Sequence, residues 1–131
     1  MSRVVKCAHI QASNAKHDGT PAEIKEAMIQ KHIPLIEAAG KKGVNILCLQ
    51  EIFYGPYFCA EQDIKWYQTA EPTPGPTTER LAVYAKKYQM VMVIPVYEME
   101  IAGVYYNTAA VVDADGIRSE EHTSELQSLT N

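Results

Sequence analysis

The side chain best placed to do chemistry is Glu51. It closes the run Ile46-Leu47-Cys48-Leu49-Gln50-Glu51, in which five uncharged residues lead into one acid. A short apolar run of this kind, after a helical stretch and a glycine, reads as a buried parallel strand. Open α/β folds collect ligands and chemistry at the carboxyl ends of such strands. The stretch that follows, Ile52-Phe53-Tyr54-Gly55-Pro56-Tyr57-Phe58-Cys59, is too aromatic for an ordinary solvent loop. Aromatics packed beside a carboxylate desolvate it, which suits a general base. The plain alternative is a solvated acid at the mouth of a loop.

The other chemically capable residues read as structural. Cys7 and Cys48 lie in apolar strand-like runs and are expected to be small core residues. Cys59 follows the aromatic loop, but nothing near it in sequence would activate a thiol. Three cysteines without a close pair suit reduced thiols better than a disulfide framework. His9, His17 and His32 show no second ligand at metal spacing, so they read as ordinary core or edge groups and no metal is expected. No cofactor motif is present, and none is expected.

Composition narrows the classes. The chain has 131 residues, 47% hydrophobic and 21% charged, with a net charge of -4. That is a soluble globular balance for one domain. The negative charge argues against nucleic acid or an anionic membrane as partner. No apolar run approaches the roughly 20 residues of a membrane helix. Met1 to Lys6 lacks the apolar core of a signal peptide, so the expected location is the cytoplasm.

Glu51 must be positioned by an αβ frame. Val4 to Ala12 reads as a first strand and Ser13 to Gly19 as a loop. Thr20-Pro21-Ala22-Glu23 is a capping-box helix start. Ile24, Met28, Leu35 and Ala39 mark its apolar stripe to Gly40, with Pro34 expected to kink or split the helix. Lys41-Lys42-Gly43 is a helix end. Glu61 to Ala70 carries no assignable pattern, and Glu71 to Pro76 is a rigid Pro-rich connection. Thr77 or Thr78 is expected to cap a second helix, with Leu81, Ala82, Tyr84, Ala85 and Tyr88 on its buried side. Met90 to Tyr97 and Val104 to Val112 read as two more strands forming a hairpin, with Pro95 at a bulge or strand end.

Asp113-Ala114-Asp115-Gly116 is a turn signal that should lead to another strand. The text from Arg118 has neither strand alternation nor a helical stripe, and no strand is expected there. Arg118 to Ser128 resembles the in-frame translation of a common short-read sequencing adapter. Residues 118–131 are therefore expected to be an artefactual tail, and His122 carries no functional reading. Residues 1–117 are expected to be an incomplete portion of a domain.

Leu49-Gln50-Glu51 with Phe53-Tyr54-Gly55-Pro56-Tyr57-Phe58 resembles the catalytic-glutamate segment of the nitrilase superfamily of carbon–nitrogen hydrolases. Val5-Lys6-Cys7-Ala8-His9-Ile10-Gln11-Ala12, Gly75-Pro76-Thr77-Thr78 and Tyr105-Tyr106-Asn107-Thr108-Ala109 extend the resemblance, which is nearest the β-ureidopropionase branch. It implies an α/β fold, the N-terminal part of a four-layer αββα sandwich. It also implies a Glu–Lys–Cys triad. Glu acts as base on the thiol, the thiolate attacks the carbonyl, and Lys stabilises the oxyanion. Only Glu51 can be carried over; no lysine occupies the equivalent place, and the family's Cys lies further downstream. Tyr54, Tyr57 and Asn107 are pocket candidates. The implied ligand is a small N-carbamoyl or amide substrate, and full-length relatives usually self-associate. The alternatives are an N-carbamoyl amine amidase such as an N-carbamoylputrescine amidase, another nitrilase-type amidase, or a non-catalytic small-molecule binding domain.

Overall fold

The computed structural model describes residues 3–58, 61 and 63–125, with side chains only as far as residue 117. Five strands form one sheet in the order β1-β2-β3-β4-β5. They are β1 (Cys7–Ile10), β2 (Ile46–Leu49), β3 (Val91–Ile101), β4 (Val104–Val112) and β5 (Arg118–Glu125). β1, β2 and β3 pair in parallel, and β3, β4 and β5 pair antiparallel. The parallel steps need crossovers, supplied by α1 (Pro21–Lys41) and α2 (Pro76–Tyr88). Both crossovers move the same way along the sheet, and a common hand puts both helices on one face.

The core sits between that face and the helices. Leu47 and Leu49 of β2 and Met92, Ile94 and Val96 of β3 are fully or almost fully buried. From α1 they meet Ile24, Met28, His32 and Ile36, spaced four apart along one helix face. The stripe thus runs through His32, while Leu35 is turned out and exposed. The opposite sheet face is uncovered at its β1 end: Cys7, His9 and Ile46 are exposed. Cys7 is therefore not a core residue as expected. Cys48 is half-buried, and that burial pushes its thiol pKa up.

Local sequence explains the helix ends. Thr20 Oγ1 accepts from the Glu23 N–H at 3.2 Å, and Glu23 Oε2 accepts from the Thr20 N–H at 2.8 Å, closing the capping box. α1 runs on through Pro34 as one 21-residue helix, so the expected split does not occur. Packing of its long apolar face holds the turn that proline weakens. Gly40 lets the two helices close together, because a Cβ there would collide with the Tyr88 ring. α2 is capped by Gly75 rather than by a threonine. Thr78 Oγ1 accepts from the Gly75 N–H instead, and Thr77 turns to Glu71.

Three further readings change. Residues 64–69, without a legible pattern, form a 3-10 helix with Trp66 buried. Pro95 lies inside β3, opposite Ala109, rather than at its end. β2 pairs no further than Cys48 with Val93, so a missing N–H at 95 removes no bond to β2. β5 occupies residues 118–125, where no strand was expected. The edge of β4 offers unpaired N–H and C=O groups, and pairing through backbone alone needs no side-chain alternation. No helix among the described residues is long and apolar enough to cross a membrane.

Candidate functional site

β1 and β2 end side by side, and the loops leaving them border an open cleft of about 580 Å³. Gln50 ties the two strand ends together: its Oε1 accepts from the Ala12 N–H at 2.6 Å. Glu51 follows at the cleft wall. Ile52, next in sequence, has φ 42°, the left-handed region. A β-branched residue there costs about 1–3 kcal/mol and is held only where the surroundings demand it. The bend leaves Glu51 at the cleft and sends Phe53 and Tyr54 into the core, where both are fully buried.

Two hydrogen-bonded staples fix this bend. The Tyr54 hydroxyl donates to the Tyr97 carbonyl at 3.0 Å and accepts from the Tyr97 N–H at 2.8 Å. Burial, with the Glu71 carboxylate adding to it, raises the Tyr54 pKa far above the usual phenol range, so it stays a neutral donor. Tyr97 pairs across the hairpin with Asn107. The Asn107 Nδ2 donates to Glu51 Oε1 at 2.5 Å. An amide can orient a carboxylate without exchanging a proton with it.

Of the four sequence candidates, Glu51, Asn107 and Tyr57 lie at the site. Glu51 and Tyr57 line the cleft, with Tyr57 79% exposed, and Asn107 reaches Glu51. Tyr54 does not line the cleft; it is a core staple. The expected desolvation of Glu51 is not found either. The carboxylate is exposed, because the neighbouring aromatics pack into the core and not over it. Phe58 is the aromatic that spans both places, lining the cleft while packing on Tyr97 with ring centroids 4.9 Å apart.

His17, which reads in the sequence as an ordinary core or edge group, is instead a cleft residue. It is exposed and lines the cleft with Ser13 and Asn14, on the loop between β1 and α1. Its signal was its place in the loop after a strand that neighbours the Glu51 strand. His32 is different. It is fully buried, its Nδ1 lies 2.8 Å from the Met28 carbonyl, and burial lowers its pKa.

Among the described residues no lysine or cysteine lines the cleft. Cys59 lies outside the described residues. No group of three or more His, Cys, Asp or Glu residues that could hold a metal occurs among the described residues. The arrangement can present a fixed, solvent-reachable carboxylate to a small molecule. It can take up a proton there, but the described lining residues include neither a thiol nor a lysine.

Known proteins resemble this chain in sequence and fold. The carbon-nitrogen hydrolase family model matches residues 6–126. A beta-ureidopropionase from Arabidopsis thaliana is 39% identical over 117 residues, which cover 87% of this chain and 29% of that protein. An N-carbamoylputrescine amidase from Oryza sativa subsp. japonica is 42% identical over 83 residues, 63% of this chain and 27% of the relative. The chain thus spans less than a third of either relative. Among solved structures, a carbon-nitrogen hydrolase from Helicobacter pylori G27 superposes with TM-score 0.76 at 24% identity, over 92% of this chain and 39% of that one. The fold is therefore that of the nitrilase superfamily, and the sequence match over most of its length shows that this chain belongs to the carbon-nitrogen hydrolase family.

Proposed function

We propose that this chain is the N-terminal portion of an amidohydrolase that cleaves an N-carbamoyl amino acid, of which N-carbamoyl-β-alanine is the simplest candidate. Glu51 is its general base. The observation that carries the reading is the Glu51 carboxylate, held by Asn107 at the edge of an open cleft. A base aimed by a neutral donor is what a thiol nucleophile needs beside it. The ureidopropionase likeness supports this substrate because it extends over 87% of the chain. The higher identity of the rice amidase over its shorter stretch favours a second reading, an N-carbamoyl amine such as N-carbamoylputrescine.

In this proposal residues 1–117 are the native part and residues 118–131 a sequencing-derived tail. The complete protein adds the Lys and Cys, works in the cytoplasm and self-associates. The 131-residue chain by itself is inactive. The test is to read the source gene beyond the codon for Ile117, express the continuous product and assay ammonia release from both ureido compounds. Activity on N-carbamoyl-β-alanine above that on N-carbamoylputrescine is the expected result. A product with no downstream Lys and Cys, and no turnover of any amide, would instead make the cleft a binding site.

A further inference from the structure

We infer that His17 reads the end of the substrate remote from the scissile bond, and that this end is an anion of carboxylate type. The inference deepens the amidohydrolase reading above and rests on it. The first ground is the charge inventory of the cleft. Among its described lining residues there is one acid, Glu51, and one basic side chain, His17; the others are uncharged. Glu51 is committed to the chemistry. A substrate with an ammonium tail would need a second acid on this wall, and there is none among those residues. A substrate with a carboxylate tail needs a donor, and His17 provides a ring N–H in either of its protonation states.

The second ground is that His17 is presented by a loop that is already tied down. The Ala12 N–H donates to Gln50, and Lys31 Nζ donates to the Ser13 carbonyl at 2.7 Å and to its hydroxyl at 3.0 Å. The Ala15 N–H lies 3.1 Å from Met28 Sδ, and the capping box fixes Thr20. The charged neighbour Lys16 leans toward Glu23, at 3.9 Å. His17 is left exposed, with no hydrogen bond or ion pair to another described residue. A donor held on a fixed loop binds with little ordering cost. The third ground is placement. Glu51 and His17 come from different strand ends and border the same cleft of about 580 Å³, a volume in the usual range for a small-molecule site.

The test uses the full-length protein and two probes with the same ureido group, N-carbamoyl-β-alanine and N-propylurea, which lacks the carboxylate. The readout is the ratio of their KM values in the parent, His17→Ala and His17→Arg. Losing one charge-assisted hydrogen bond weakens binding by about tenfold or more. His17→Ala is therefore expected to reduce the preference for the carboxylate probe about tenfold through KM, with kcat on that probe within a few-fold of the parent. His17→Arg is expected to restore most of the preference. Equal shifts for both probes, or no shift for either, overturn the assignment while leaving the amidohydrolase reading intact. A parent inactive on every ureido compound overturns that reading, and the assignment falls with it.

Discussion

Asn107 on β4 donates its side-chain N–H to Glu51 at the end of β2, a 2.5 Å contact between residues 56 apart in the chain. The contact is solvent-exposed, and it sets the direction of the one acid among the described residues that line the cleft. Asn107→Ala should leave Glu51 in place but free to rotate. A loss of about 1.4 kcal/mol in aim corresponds to about tenfold in turnover. Asn107→Asp should cost more, since it sets a like charge against the carboxylate. Turnover of the full-length variants, with KM measured alongside, checks the order parent, Ala, Asp.

Tyr54 serves the bend and not the substrate. Tyr54→Phe removes a hydroxyl that both donates to and accepts from the Tyr97 backbone inside the core. Leaving such groups without that partner costs about 1–3 kcal/mol. Denaturant unfolding of the full-length protein should show this loss. KM for a ureido substrate should change little, because Tyr54 lies away from the cleft.

His32 should make stability fall in mild acid. Burial lowers its folded pKa below its ordinary value of 6.5, and the nearby Lys31 charge lowers it further. The unfolded chain then binds the proton more readily than the folded one, so stability rises with pH in this range. The contribution is complete above about pH 6.5 and is lost as pH falls from there toward the folded value. Melting temperatures between pH 7.5 and 5 should drop for the parent and drop less for His32→Leu, which keeps the apolar contact with Phe53.

The 131-residue chain alone should be poorly stable. Its sheet is covered by helices on one face, while Cys7, His9 and Ile46 are exposed on the other. Exposed apolar sheet surface promotes association. Light scattering at moderate concentration should show aggregates, and a cooperative monomeric melt would contradict this expectation.

Much of this architecture was legible in the sequence because local chemistry agreed with the final packing. The Thr20 capping box, the αβ unit ending at Glu51 and the strand from Val104 to Val112 each have a local cause. The parts that were not legible depend on neighbours distant in sequence. Nothing around Tyr54 says that Tyr97 will meet its hydroxyl, so an aromatic beside a candidate base read as a pocket residue. His32 reads as a core or edge group but stands outside the predicted helix stripe, because a polar residue breaks an apolar stripe on paper, although its spacing from Met28 and Ile36 puts it on the buried face. β5 depends on the edge that β4 presents, and a strand made by backbone pairing leaves little trace in side-chain pattern. The cleft itself combines two loops separated by a helix, so His17 gained its position only when β1 and β2 were seen side by side.

The most direct test of the account is Glu51→Gln in the full-length protein, with turnover and melting temperature measured on the same sample. Gln keeps the size and the hydrogen-bonding reach of the side chain but cannot take the proton from a thiol. Turnover should fall by about two orders of magnitude or more, the usual scale for losing a general base, while the melting temperature stays near that of the parent. A variant that melts like the parent and still turns over within a few-fold of it would remove Glu51 from the chemistry.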